Sequence, residues 1–143
     1  SVPLPEHLVV EARMNAEARK AVLESAEWIG AARLSEIAGF VGRNASAQPN
    51  KWKRERRLFA VRHRGSDLFP VYALDPETRY RPVDGLSAVL EVFEGHLDEW
   101  DIAIWFASVN GFLGGAMPKD LLTSAPDRVL AAAKDEVAGV LHG

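Results

Sequence analysis

Between Arg43 and Arg64 the chain gathers eight of its 17 Lys and Arg residues: Arg43, Lys51, Lys53, Arg54, Arg56, Arg57, Arg62 and Arg64. Only one of its 20 acids, Glu55, lies among them. These 22 residues carry a formal charge of +7, while the nine cations and 19 acids of the remainder amount to −10. A stretch so charged must fold with its cations toward water, because a buried charge without a partner is too costly. Phosphate backbones are the commonest target of such a patch, and a solvated basic face is the alternative.

At 143 residues the chain fits one ordinary domain or two small ones. Hydrophobic residues at 48% and charged residues at 26% are the composition of a soluble globular protein. The absence of cysteine excludes a disulfide scaffold and a thiolate metal site, and fits a reducing cytosol. No run approaches the roughly 18 apolar residues of a membrane span, and nothing near Ser1 reads as a signal peptide. Ser1 in place of Met reads as a processed, trimmed or tagged form. The net charge of −3 hides the asymmetry between the basic stretch and the rest.

Residues 4–24 read as a helix with Pro5 in its first turn and a thin apolar face of Leu8, Ala12, Ala16, Val22 and Leu23. A face so rich in alanine calls for support from a dimer partner or from the rest of the domain. Ser25 reads as a cap before a new apolar pattern at Trp28 and Ile29. From Leu34 to Asn44 the sequence suggests a short helix capped by Ser35, with Leu34, Ile37, Ala38 and Val41 inward and a left-handed stop at Gly42. A second helix follows over 45–56, capped by Asn44 or, in the preferred reading, by Ser46, which leaves Pro49 third and tolerable. Helix, glycine turn and capped helix is the sequence form of a helix-turn-helix.

The basic stretch then falls on the second helix, with Trp52 inward and Lys51, Lys53, Arg54 and Arg57 outward. Leu58–Arg62 and Leu68–Tyr72 read as strands about the turn His63–Asp67, with Arg62 and Arg64 near its tip and Pro70 marking an edge. A hairpin behind a recognition helix is a wing. The first unit, residues 1–74, thus resembles a winged helix-turn-helix of the MerR-like kind. Arg43, Lys51, Lys53, Arg54, Arg57, Arg62 and Arg64 are the expected DNA contacts.

Proline-bounded residues 75–82 read as a linker. The second unit, residues 83–143, holds three cations and ten acids, so a nucleic-acid surface is not expected there. It reads as a small helical bundle. Leu86, Val89, Leu90 and Phe93 share one helical face ended by Gly95. Asp98 caps a helix carrying Ile102, Trp105 and Phe106. A turn over 110–115 leads to a short helix from Pro118, with Leu121 and Leu122 buried. A last helix spans 127–141, with Val129, Leu130, Ala133 and Val137 inward. The fold class is therefore mainly α, with a small β-hairpin wing.

Trp105, Asn110, Leu113, Gly114, Gly115, Pro118, Asp120, Leu121 and Leu122, with Val129 on the following helix, form the pattern Trp-x4-Asn-x2-Leu-Gly-Gly-x2-Pro-x-Asp-Leu-Leu. It resembles the toxin-binding domain of Xre/MbcA/ParS-type antitoxins over about residues 86–137. Val109 departs from it, since the family often has proline there. The resemblance implies a partner, a RES-domain toxin that is typically an NAD-degrading enzyme, and an operon autoregulator acting on operator DNA. It also implies that the C-terminal end, Val140, Leu141, His142 and Gly143, reaches the toxin. The motif residues themselves read as structural: a glycine turn, a helix start and a leucine plug.

Catalytic chemistry is not expected. His7, His63, His96 and His142 share no ligand spacing, Gly111–Gly115 lacks the context of a phosphate loop, and no nucleophile elbow is present. No metal or cofactor is implied. The reading is a cytoplasmic, homodimeric, DNA-binding antitoxin. Its rivals are an orphan transcription regulator whose bundle serves dimerisation or sensing, and a protein-binding adaptor with a degenerate helix-turn-helix, which Pro49 keeps open.

Overall fold

The turn Arg64-Gly65 sets the register of the first half. Both residues have positive φ, 50° and 80°, which gives the two-residue turn whose twist suits a hairpin. The computed structural model describes residues 2–142 and the side chains of 2–141. Strand β2 (Val61–His63) pairs with β3 (Ser66–Pro70) about that turn, and β1 (Trp28–Ile29) lies along the other side of β3. The hairpin is thus shorter and tighter than the expected 58–62 and 68–72. Leu58, Phe59 and Ala60 leave the ladder and enter the core instead.

Pro70 does not mark an edge, because β3 is the central strand. Trp28 faces Pro70, and the next bond runs from Val71 N to Glu27 O at 2.9 Å. The Trp28–Pro70 pair is therefore of the kind that exchanges no hydrogen bond, so proline's missing N–H is not needed.

Helix α1 (Glu6–Glu24) opens with Pro5 just outside it, at the cap rather than in the first turn. Its apolar face is as thin as expected, with Leu8, Val9, Val10 and Met14 exposed and Val22 buried. Ser25 closes this helix instead of opening another: its Oγ donates to Val22 O at 2.7 Å, and Trp28 then enters β1.

Helix α2 (Ala31–Ile37) starts after Gly30, so Ser35 sits inside it and not at its cap. The Ser35 hydroxyl donates instead to Ala45 O at 2.8 Å, tying the following turn to the helix. Phe40 N bonds Ser35 O at 2.9 Å and Gly39 N bonds Glu36 O at 3.1 Å, a Schellman closure around Gly39 at φ +79°. The stop thus comes three residues before Gly42, and Val41 points to solvent, not inward.

Helix α3 (Ala47–Arg54) follows Ser46, whose side chain makes no cap bond. It ends two residues before the expected Arg56, which takes φ +56° while Arg57 N closes on Trp52 O at 2.9 Å. Pro49 is third in α3 and buried, where its missing N–H costs nothing. The order α1, β1, α2, α3, hairpin, with β1 against β3, is a winged helix-turn-helix arrangement.

Residues 75–82 are folded. Strands β4 (Leu74–Asp75) and β5 (Arg81–Pro82) pair, and Arg81 donates to Ala38 O at 2.8 Å while lying over the Phe40 ring. Beyond them come α4 (Leu86–Phe93), α5 (Glu99–Phe106), α6 (Pro118–Leu121) and α7 (Pro126–His142). The α4 face of Leu86, Val89, Leu90 and Phe93 is buried as expected, and Asp98 and Asp101 form a capping box on α5. The backbone at Gly85 passes so close to Pro126 that an added Cβ would meet its ring at 2.5 Å. Buried residues from both halves form one cluster, in which Phe59 stacks on Phe106 at 5.6 Å and Tyr72 leans on the same ring. Burial pushes the Tyr72 phenol well above its ordinary value.

Candidate nucleic-acid and partner surfaces

Helical geometry sorts the cations of α3. With Pro49 and Trp52 on the buried side, the 100° step per residue puts Ala47, Asn50, Lys51 and Arg54 on the opposite side, toward water. Lys51, Arg54 and Arg57 are exposed as expected, as are Arg43 in the preceding turn and Arg64 at the hairpin tip. Among the described residues none of these five forms an ion pair. Arg64 is carried by the left-handed turn, so its side chain projects from the end of the wing.

Lys53 and Arg62 are placed differently. Both are held by Asp67, at 2.9 Å from Lys53 Nζ and 3.3 Å from an Arg62 guanidinium nitrogen. Lys53 flanks the buried side of α3 rather than its outer face, and Glu99 lies 3.9 Å from its ammonium. Burial alone would raise the Asp67 carboxyl. Hydrogen bonds from Lys53 and Arg62, with their charges, outweigh that and hold it below its ordinary value. Glu99 is raised, chiefly by burial, against a lowering by Lys53 and with a further rise from Asp67 and Asp98. Sequence reasoning missed Asp67 and Glu99 as partners because pairs 14 and 46 residues apart leave no local signal. It likewise missed Arg56, which reaches Glu94 at 3.0 Å.

In the bundle, Asn110 bonds nearby backbone as expected. Its side chain accepts from Phe112 N at 3.0 Å, and Gly115 N returns to its carbonyl at 2.9 Å. Gly114 and Gly115 take φ of +67° and +92°. Pro118 opens α6, Leu113 and Leu122 are buried, Leu121 is half-buried, and Asp120 is exposed beside Lys119 at 3.2 Å. Trp105 is buried, and its indole N–H has no hydrogen-bond partner. Val140 and Leu141 lie exposed on the last turn of α7, which reaches the expected end of that helix. The side chain of His142 and all of Gly143 lie outside the described residues.

Among the described residues no group of acids and histidines could hold a metal ion, and no helix is long and apolar enough to cross a membrane. Comparison with protein-family models, curated proteins and solved structures finds no match.

Proposed function

We propose that this chain is a DNA-binding antitoxin-like protein of the cytoplasm, acting as a homodimer that binds and neutralises a RES-type toxin and represses its own operon. The observation that carries the DNA half is the outer face of α3, where Lys51 and Arg54 stand unpaired opposite Pro49 and Trp52, with Arg57 and the wing's Arg64 also free of ion pairs. The partner half rests on the Trp105–Leu122 pattern and on the exposed Val140 and Leu141. Pro49, third in α3 where its missing N–H costs nothing, supports an intact helix-turn-helix over a degenerate one.

The test has two arms. Operator-fragment binding measured across salt concentrations should give a log–log slope of roughly −4 to −5 if about five cations meet phosphates. Co-expression with the neighbouring gene product should give a complex that a chain ending at Ala138 forms less tightly. DNA binding without capture points to an orphan regulator, and capture without DNA binding to an adaptor.

A further inference from the structure

Beside Leu97 in the bundle lies a groove of about 540 Å³, built chiefly by three elements. Helix α5 supplies Asp101, Ile104 and Trp105, which fall on one face at i, i+3 and i+4. The turn after it supplies Val109 and Phe112, and α7 supplies Asp135 and Glu136. No Lys or Arg lines it.

Two features of this groove point to a ligand. Phe112 is 54% exposed and Val109 71%, although Phe112 N donates to Asn110 Oδ1 and closes the turn. Nothing in the fold needs a phenyl ring held in water, whereas an ordered exposed aromatic is a good anchor for a partner. The rim carries three carboxylates with no compensating cation, in a half of the chain that is acidic throughout. Trp105 is 7% exposed and forms part of the groove wall, with its unpartnered indole N–H buried away from solvent.

We infer that this groove receives an arginine side chain presented by a protein partner, with Phe112 under the guanidinium, Asp101, Asp135 and Glu136 around it, and Trp105 in the wall beneath. Arginine fits better than lysine because its planar, weakly hydrated cation both stacks on an aromatic face and pairs with carboxylates. The Arg stem would lie on Ile104 and Val109. Glu136 lies one helical turn before Val140, so the groove adjoins the exposed end of α7 and deepens the partner surface proposed above. It rests on that reading only for the partner's identity.

The probe is the peptide acetyl-Leu-Arg-Leu-amide, added to the full chain and followed through the indole N–H signals of the four Trp residues. The Trp105 signal should move with a Kd of about 1–10 mM, while those of Trp28, Trp52 and Trp100 stay in place. The Lys and Glu analogues should bind several-fold more weakly and not at all, respectively. Asp135→Asn with Glu136→Gln, both at exposed or half-exposed positions, should weaken the arginine peptide about tenfold, and Phe112→Ala about threefold. An unmoved Trp105 signal, an equal response to the Glu peptide, or unchanged binding in the double variant would overturn the assignment. Failure to capture a toxin in co-expression leaves these shifts intact and sinks only the toxin reading.

Discussion

Replacing Asp67 with Asn tests whether the hairpin is fastened to α3 by charge. The carboxylate is 15% exposed and accepts from Lys53 at 2.9 Å and Arg62 at 3.3 Å. A hydrogen bond between charged groups with such shielding is worth about 1.5–3 kcal/mol, and Asn retains one neutral acceptor toward Lys53. Arg62 is 64% exposed, so its share is no more than about 0.5 kcal/mol. Asp67→Asn should therefore cost about 1.5–2 kcal/mol at pH 7, or a fall in Tm of about 3–8 °C. In a double-mutant cycle with Lys53→Met, read by urea denaturation, the coupling should be about 1 kcal/mol. The pH dependence follows from the sign of the shift. The folded carboxyl titrates below its ordinary value of 3.8, so its stabilisation is complete above that value and is lost as pH falls through the folded one. The gap between parent and variant should stay constant from pH 7 to about pH 5 and close only below about pH 4. A coupling under about 0.3 kcal/mol, or a gap that does not narrow as pH falls below the carboxyl's ordinary 3.8, would refute the fastening.

Gly115→Ala should cost about 2 kcal/mol and Gly114→Ala about 1 kcal/mol by thermal melts, because an added Cβ meets nothing at either site and only the backbone differs, φ +92° against +67°. Equal losses would mean that the difference in φ does not set the cost. Trp52→Ala should cost about 3–5 kcal/mol, and Arg57→Ala less than about 0.5 kcal/mol. A destabilised Arg57→Ala would mean that the outer face of the basic helix is misassigned.

Local signals were legible wherever one element decided the outcome. The four-residue face of α4, the Asp98 cap, the Asn110 turn and Pro118 as a helix start all follow from contacts within about a turn of chain. Choices between adjacent candidates went astray at the glycines and the hydroxyls. Gly39 and Gly42 both take positive φ, and only the seating of Leu34 and Ala38 in the core decides which of them ends α2. Ser35 and Ser25 are both good cap residues by type, but one is drawn to Ala45 O and the other to Val22 O. Pro70 was misread because its neighbour in the sheet, β1, lies about 40 residues earlier, and proline tolerance depends on the hydrogen-bonding phase of that pairing. The cations were found by type, but which of them are available depends on Asp67, Glu94 and Glu99, whose distances no sequence pattern encodes.

Helix α5 shows why these long-range pairings matter. Its first turn places Glu99 beside Lys53 of α3, and its last residue, Phe106, lies between Phe59 and Tyr72 of the winged half. Its remaining face gives Asp101, Ile104 and Trp105 to the groove. Trp105 and Phe106 are themselves in edge contact at 5.1 Å, so the groove wall and the ring that seats Phe59 and Tyr72 are packed together. The Tyr72 hydroxyl, buried and without a hydrogen-bond partner beside that ring, already weakens this part of the core, since it is desolvated without return. Helix α5 thus packs the groove wall, the shared aromatic core and, through Glu99, the Lys53 end of α3 into one body.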